Sequence, residues 1–510
     1  MPATHFGVKY AVHIITSHFG NLVANVCENL LKRGPLTLRL LIGFTELTPQ
    51  QGKNSLLILI QHNCVQPFSV DQAEGPKVTQ YVALFDNILH RWRFAKFMTV
   101  VSQEFDKECE LIIKDLLENG RLTLKQITEA GEYAVKDTVE KSFLKLVNAH
   151  FVERCPAPEA VLEEASKDAP KKRGPKSSKI VEVPETIEQR VVAAAAPSAA
   201  MRFSILTDSE SDAHGGSSSS MSTGDKRKHD ALELDEEFAN NEVVIWRANF
   251  EEFIRCLRHK ACVENVRARL DDGAALVLRA MLKSTRTAEK KVKMENSVPV
   301  SFSTIYEEVI NSEAGRNLTC DRVKASLSLL CDERDVDEDE SYSVDLKKIL
   351  ELAQNDEVES IVLKRYGRDA YKMFRLLSTS SRALETDKIS DMTLVEKKET
   401  PTILYKLWKD EYLLMERLAV TGARQAQFLV WKVDRPIVWK HVLDEMFHAA
   451  LNLSLRLAYE DEQIKEVQLL PAHKRTGPLG KQWQRFRNVV YVMHASQLKI
   501  DDAIMLFHDF

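Results

Sequence analysis

An internal repeat constrains this chain more than any other feature of its sequence. The segment LLKRGPLTLR at residues 30–39 returns as LLENGRLTLK at residues 116–125, an offset of 86. The segment SLLILIQHNCV at residues 55–65 returns as SFLKLVNAHFV at residues 142–152, an offset of 87. Two matched segments in the same order and at nearly the same spacing predict two copies of one supersecondary unit.

The first copy has the pattern of a winged helix. One helix ends at the Gly34-Pro35 pair, and TPQQ at residues 48–51 opens another with an N-cap, an N1 proline and a capping-box glutamine. A β-rich segment at residues 65–70 then predicts the first strand of a wing. Helix, helix-turn-helix and β-ribbon in this order is the plan by which many proteins place a helix in a DNA groove.

We predict a mainly α protein with small β-wings, built from tandem winged helices and a C-terminal helical hairpin or coiled coil. A chain of 510 residues has room for roughly three to five domains. The predicted segments are winged helix 1 at 1–76, winged helix 2 at 77–156, a disordered linker at 157–237, winged helix 3 at 238–345, winged helix 4 at 346–434 and a helical stalk at 435–510. This makes four winged helices in all. We also expect a helix from residue 243, one helix over 361–377 and a strand over 388–390.

The predicted linker is rich in Ala, Pro, Gly and Ser and cannot bury enough apolar surface to offset its chain entropy. It carries two basic clusters that are candidate nuclear-import signals. Their residues are Lys171, Lys172, Arg173, Lys176, Lys226, Arg227 and Lys228. A solvated charge run without a receptor is the alternative interpretation.

The charge balance limits how this chain can bind nucleic acid. Its net charge is −5, whereas a chain that grips DNA over a long surface is usually basic. DNA contact is therefore local, or the main partner is protein.

No apolar run reaches the length of a membrane span, and the first residues lack the apolar core of a secretory leader. The eight cysteines form no CxxC pair, so we expect reduced buried thiols and a nuclear or cytosolic location.

Two groups of residues are candidates for DNA contact. Arg91, Arg93 and Lys96 alternate with aromatic residues in HRWRFAKFM, which is typical of a nucleic-acid surface. The alternative is an amphipathic helix that buries its rings and leaves its cations in water. The second group lies on the helix opened by TPQQ, where glutamine and asparagine could contact base edges and lysine a phosphate. Its members are Gln50, Gln51, Lys53 and Asn54. Docking of this helix on protein is the alternative.

No arrangement of residues predicts chemistry. The chain shows no Ser/His/Asp, Cys/His or paired-carboxylate set, and the Gly-Lys at 480–481 lacks the spacing of a phosphate loop. We therefore predict no catalytic residue, no metal ligand and no cofactor.

Four stretches carry a resemblance to a known family. They are CENLLKRGPLTLRLLIGFTELTPQQ at 27–51, VNAHFVERCP at 147–156, WRANFEEF at 246–253 and MHASQLKIDDAIMLF at 493–507. They resemble the winged-helix subunit of eukaryotic RNA polymerase III, the largest member of its initiation heterotrimer. That family is similar to the large subunit of the general factor TFIIE. The chain departs from the family pattern at Gly43 and Gly52, where the glycines weaken two helices of the first module.

The resemblance implies a non-catalytic nuclear subunit that acts in transcription initiation and promoter opening at genes for small RNAs such as tRNA and 5S rRNA. It implies docking on the polymerase III core clamp and on two companion subunits, and contact with the initiation complex that contains the TATA-binding protein. It also implies sequence-indifferent contact with single- or double-stranded DNA and no membrane. A sequence-specific winged-helix regulator would need a more basic recognition helix. A winged-helix scaffold of another complex, with no DNA role, remains the alternative.

Overall fold

The computed structural model describes ten stretches of the chain, in which helices dominate. They are residues 4–71, 78–130, 136–163, 185–204, 244–289, 291–331, 341–380, 382–420, 426–471 and 476–510. The chain divides into two compact units, an N-terminal unit of residues 11–253 and a C-terminal unit of residues 1–10 and 254–510. The prediction of a mainly α protein with small β-wings is confirmed.

The first repeat folds as a winged helix. Its elements, after α1 (His5–Phe19), are α2 (Asn21–Arg33), β1 (Leu36–Thr37), α3 (Leu38–Thr45), α4 (Pro49–Gln61), β2 (Val65–Asp71) and β3 (Thr79–Ala83). The predicted capping box opens α4, since the Thr48 side chain accepts a bond from the Gln51 amide and the Gln51 side chain accepts one from the Thr48 amide. These bonds satisfy two amides that the first helical turn leaves without partners. Leu56 and Leu59 then bury the inner face of the helix.

The second strand of this wing lies beyond the domain boundary predicted at residue 76. Strand β3 lies between β1 and β2, and it pairs Tyr81 with Leu36 and Ala83 with Val65. The boundary predicted at residue 76 is therefore wrong, because β3 completes the backbone hydrogen bonds of this sheet. Beyond β3, the chain forms α5 (Phe85–His90), a 3₁₀ turn at Arg91–Arg93 and α6 (Phe94–Glu104).

The second repeat forms the same three helices and the same first strands. Its elements are α7 (Lys107–Asn119), β4 (Leu122–Thr123), α8 (Leu124–Ala130), α9 (Lys136–Asn148) and β5 (Val152–Arg154). Phe143, Leu146 and Val147 of α9 are buried, as the helical spacing of its apolar residues predicts. The strand that completes its wing does not follow directly in the chain.

The segment after β5 is ordered in part, so the prediction of a disordered linker over 157–237 is wrong for those stretches. They form β6 (Ala160–Glu163), α10 (Ile187–Ala195) and α11 (Ala199–Arg202). Strand β6 pairs in parallel with β2, and α10 packs against both strands. The buried apolar cluster consists of Phe68, Val82, Leu84, Ala160, Leu162, Val191 and Ala195. The alanine run that looked like low complexity ends a helix that a Thr186–Gln189 capping box begins.

Strand β7 (Ile245–Ala248) completes the second winged helix from the far side of this segment. It lies between β4 and β5, and it pairs Trp246 with Leu122 and Ala248 with Val152. The predicted helix start at 243 and the module boundaries at 156 and 238 are therefore wrong. Trp246 and Ala248 are buried at a two-residue spacing, which packs one face of a strand.

A buried carboxylate ties the inserted segment to this wing. The Glu153 side chain on β5 accepts hydrogen bonds from Arg202 at 2.5 Å and from Arg247 at 2.8 Å, and only 3% of it is exposed. Arg202 also reaches Glu251 at 2.8 Å. Two cations compensate the buried charge of Glu153, which would otherwise be costly to desolvate.

The C-terminal unit begins with a third helical module closed by a two-stranded sheet. Its elements are α12 (Phe250–Arg269), whose first residues belong to the N-terminal unit, α13 (Asp272–Thr285), β8 (Val300–Ser301), α14 (Phe302–Asn311), α15 (Cys320–Leu330) and β9 (Ser341–Tyr342). Leu278, Met281, Ile305 and Leu327 are among its fully buried residues. Residues 332–340, which are mostly acidic, lie outside the described residues.

The fourth module has a three-stranded sheet in the order β10-β12-β11. Its elements are α16 (Leu346–Tyr366), α17 (Arg368–Thr379), β10 (Leu384–Glu385), α18 (Thr386–Thr393), α19 (Thr400–Lys409), β11 (Leu414–Val420) and β12 (Ala426–Lys432). The single helix predicted over 361–377 is wrong, because Gly367 at φ 88° separates two helices. The strand predicted over 388–390 is also wrong, since these residues lie inside α18.

Two long helices, α20 (Arg435–Gln468) and α21 (Gly477–His508), form the predicted C-terminal hairpin. Ile464, Val467 and Phe486 pack between them. In the part of the chain that the structure describes, no helix is both long and apolar enough to span a membrane.

Candidate nucleic-acid and protein interface

The exposed face of α4 is polar in its first half. The side chains of Gln50, Gln51, Lys53 and Asn54 all face solvent. The Gln50 amide donates a hydrogen bond to Asn54 at 3.0 Å, and Gln51 is held by the capping box. Lys53 forms no ion pair with any described residue. This half of the helix therefore offers one cation and three positioned amides, which suits a weak backbone contact better than base readout.

The second half of the same face is apolar. Leu57 is 63% exposed and Ile58 is 37% exposed, one helical turn beyond Lys53 and Asn54. An aliphatic side chain cannot form a hydrogen bond with a phosphate or a base edge. Two neighbouring exposed aliphatic side chains therefore favour a contact with protein. Sequence reasoning concentrated on the polar residues and did not single out Leu57.

The end of α4 is fixed against the second repeat. The Gln61 side-chain amide donates to the carbonyls of Asn119 at 2.9 Å and Arg121 at 2.6 Å. The Arg121 guanidinium in turn donates to the Asn63 side chain at 2.9 Å. Gly120 has room only for a hydrogen at this seam, because a Cβ there would lie 2.1 Å from the Gln61 carbonyl oxygen. The two winged helices of this unit therefore share a tight seam.

Arg91 and Arg93 do not lie on a solvent-facing surface. Arg91 is 8% exposed and Arg93 is 1% exposed. The Arg91 guanidinium lies over the Phe19 ring at 4.5 Å and the Phe94 ring at 5.3 Å. A guanidinium in this position cannot reach a DNA phosphate, so the prediction of DNA contact by these two arginines is wrong. The alternative of solvated cations is equally wrong for them, whereas Lys96 is half-buried.

The charge of Arg91 shifts the pKa of two neighbouring histidines, His18 and His62. Burial and then the charge of Arg91 lower the pKa of His62 to about 4. The same two causes lower the pKa of His18. Burial also raises the pKa of Cys64, which hydrogen-bonds to Arg91, to about 12. This cluster is therefore held as a single cation among neutral groups at physiological pH, which is a structural arrangement.

The corresponding helix of the second repeat, α9, gives its best-placed cation to an internal contact. The Lys145 ammonium bonds the Asp106 carboxylate at 2.5 Å. Hydrogen bonds from Cys109 and Lys145 lower the pKa of Asp106 to about 2. Lys145 is therefore already paired, and α9 offers DNA less positive charge than its composition suggests.

Two further predictions concern composition and metal binding. All eight cysteines are free thiols; of the four that we expected to be buried, Cys27, Cys64 and Cys109 are buried, whereas Cys155 is half-buried. Among the described residues, no group of three or more His, Cys, Asp or Glu side chains is placed to hold a metal ion. The nuclear-import candidates, Lys171, Lys172, Arg173, Lys176, Lys226, Arg227 and Lys228, lie outside the described residues.

Comparison with protein families agrees with this architecture. The model of the RNA polymerase III subunit RPC82 family matches residues 141–358. Its helix-turn-helix domain matches residues 9–70, and the POLR3C C-terminal winged-helix domain matches residues 358–431.

Relatives named DNA-directed RNA polymerase III subunit RPC3 match nearly the whole chain. The mouse and human proteins are each 22% identical over 552 residues, which cover 99% of this chain and 98% of each relative. The zebrafish protein, Danio rerio, is 24% identical over 477 residues, 89% of this chain and 84% of its own length. With three models of one family matching consecutive parts of the fold, the chain belongs to the RPC82/RPC3 family of RNA polymerase III subunits.

Proposed function

We propose that this chain is a non-catalytic subunit of RNA polymerase III that acts in transcription initiation and promoter opening at genes for small RNAs. The observation that carries the proposal is the pair of winged helices sharing one seam, in a chain that belongs to this subunit family. Winged helices with few free cations suit docking inside a large assembly, where each module contributes a surface rather than an independent grip on DNA.

In this proposal the subunit lies in the nucleus, docks on the core clamp and binds two companion subunits. It also contacts the initiation complex that contains the TATA-binding protein. Purification of the tagged full-length chain from nuclei, followed by mass spectrometry, tests this assembly. Recovery of the polymerase III core with two small partners in equal amounts supports it. Recovery of the chain alone, or with a different complex, contradicts it.

The proposal assigns DNA contact to the first half of α4. Lys53 would hold a phosphate, with Gln50, Gln51 and Asn54 beside it and half-buried Lys96 as a second cation. One or two phosphate contacts give weak binding that is indifferent to sequence and falls with salt at a shallow slope. We expect Lys53→Glu to weaken binding of a bubble-containing duplex by about three- to tenfold at low salt. Lys141→Glu replaces an exposed lysine of α9 and is the matched control; it should change binding by less than about twofold.

A scaffold without a DNA role is the second candidate function. It is favoured by the exposure of Leu57 on α4 and by the burial of Arg91 and Arg93. The two candidates differ in one binding measurement. If Lys53→Glu and Lys141→Glu leave duplex binding equally unchanged while the polymerase is still recovered, the chain acts by protein docking alone.

A further inference from the structure

The outward face of α3 combines apolar and cationic side chains. Among the described residues, no carboxylate forms an ion pair with its cations. Arg39, Leu40, Gly43 and Phe44 face solvent together, whereas Leu41 and Thr45 face the core. Leu40 is 48% exposed and Phe44 is 43% exposed. Residues spaced by three or four positions are neighbours on a helix, as Leu40 is to Gly43 and Phe44, so these four form a continuous surface. We name it the α3 face.

A second cation extends this face from the neighbouring helix. The Arg33 guanidinium, at the end of α2, lies 3.9 Å from the centre of the Phe44 ring. Its Nε donates to the Asn29 side chain at 3.3 Å, which fixes the plane of the group. Neither Arg33 nor Arg39 forms an ion pair with a described residue. Two cations without an ion-pair partner among the described residues, of which Arg33 is held in place, therefore accompany two exposed apolar side chains.

The second repeat shows that the fold does not require this surface. Lys125, Gln126 and Glu129 occupy the positions of Arg39, Leu40 and Gly43, at the offset of 86. All three are exposed on α8. The same helix in the same fold therefore works with a polar, charge-balanced face. The apolar and cationic character of the α3 face is a property of the first repeat alone.

We infer that the α3 face is a docking surface for an acidic, apolar segment of a partner protein. Charge complementarity carries the choice of occupant, because the two cations match carboxylates while Leu40 and Phe44 need apolar contact to leave water. Nucleic acid fits less well, since its phosphates would pair with the arginines but would leave Leu40 exposed. The α3 face shares no residue with the polar half of α4 to which DNA contact is assigned.

Photo-crosslinking of the full-length tagged chain in its purified complex tests this inference. The photoreactive residue p-benzoylphenylalanine is placed at position 43, where an added Cβ meets no atom within 4 Å and no docking side chain is removed. The matched probe stands at position 129 of the second repeat. The crosslinked product is identified by mass spectrometry. We expect a protein segment rich in Asp and Glu that contains aliphatic or aromatic residues, captured at position 43 and not at position 129.

Charge reversal separates specific docking from general attraction. Arg39→Glu should reduce the crosslink yield at least fivefold, and Lys125→Glu should leave it within twofold. Both residues are exposed, and an unchanged melting temperature of each variant verifies folding. Capture of nucleic acid, capture of a segment without excess acid, absence of a crosslink, or equal effects of both reversals would overturn the inference. The composition of the purified complex tests the proposed polymerase function separately, and an acidic segment captured in another complex would leave this inference standing.

Discussion

The two winged helices of the N-terminal unit are copies of one plan that lie in different surroundings. Their helices α2 and α7 both end at a glycine with φ near +82°, Gly34 and Gly120. Asn63 and His150 occupy the same left-handed turn before β2 and β5. What differs is the surroundings, because Gly34 is open to solvent whereas Gly120 lies against the backbone of the other repeat. The backbone plan is shared, and the packing of the two copies decides which positions tolerate change.

The wings differ more than the helices. In the first repeat, residues 72–78 join the two wing strands, whereas in the second repeat residues 155–244 do so. Part of this long insertion returns to the first repeat, where β6 extends the sheet along β2. A strand that would otherwise present an open edge is thereby covered. The insertion in the second wing therefore packs against the first repeat.

The largest expected effect contrasts the two shared glycines. Gly120→Ala should destabilise the N-terminal unit by about 3 kcal/mol or more, since its Cβ would overlap the Gln61 carbonyl in addition to the left-handed strain. Gly34→Ala bears only the strain and should cost about 1 kcal/mol. Hydrogen exchange of the α4 and α7 amides in the full chain measures both. Equal losses for the two variants would mean that the seam is looser than described.

The next effect concerns the inner face of the third helix of each repeat. Val139 of α9 is 1% exposed, and the corresponding position of α4 is Gly52. Val139→Ala should cost about 2 kcal/mol through lost burial and a small cavity. Gly52→Ala should change stability by less than about 1 kcal/mol, because improved helix propensity opposes a tight 3.3 Å contact with Ile42. Urea unfolding followed by tryptophan fluorescence and α-helical circular dichroism compares them; a larger loss for Gly52→Ala would contradict this ranking.

A third, smaller effect depends on pH. Asp106 caps α7, whereas the corresponding N-cap of α2 is Gly20, which gives no side-chain bond. Because the folded pKa of Asp106 is depressed to about 2, its contribution is fully present above the unfolded pKa near 4 and is lost as pH falls through 2.

Asp106→Asn keeps a capping side chain but removes this titration. We expect it to cost about 1 kcal/mol or less at pH 6, because the carboxylate is partly exposed and screened by solvent. The difference from the wild type should shrink as pH falls from 4 towards 2. A difference that stays constant over this range, measured as the melting temperature of each variant, would show that the charge of the Asp106 carboxylate adds no stability.

The smallest effect should be a gain. Gly43 lies inside α3, and a Cβ at this position meets no atom within 4 Å. Gly43→Ala should therefore stabilise the first repeat by roughly 0.8 kcal/mol, the difference in helix propensity between the two residues. Glu129→Ala at the matched position of α8 should change stability by a few tenths of a kcal/mol at most. Calorimetry of the two variants checks this, and a destabilised Gly43→Ala would indicate a neighbour that the open space does not show.

A third matched segment could have corrected the predicted boundaries from the sequence alone. YVALF at residues 81–85 corresponds to WRANF at residues 246–250. Strand β3 pairs with β1 in the same register in which β7 pairs with β4. The signal was hidden because its offset of 165 differs from that of the other two segments. An insertion inside a wing breaks the constant spacing on which repeat detection depends.

The candidate site shows a similar limit. Local rules predicted the capping box of α4 and the exposure of Lys53, since both depend on neighbours within one helical turn. They could not predict the burial of Arg91 and Arg93. A segment in which cationic and aromatic residues alternate has the same sequence pattern whether its cations are exposed or buried. The exposure of Leu40 and Phe44 was likewise invisible, as apolar residues at helical spacing normally predict core.

The sequence by itself determined the repeat, the glycine that ends α2 and the capping box that opens α4, and the family to which the chain belongs. These depend on hydrophobic period, capping residues and glycine, which act over a few positions along the chain. Only the tertiary structure decided that β7 completes the second wing and that β6 extends the first sheet. It also decided that Gly120 has no space for a side chain. Strand pairing and close backbone approach join residues far apart in the chain, and no local pattern encodes the distance between them.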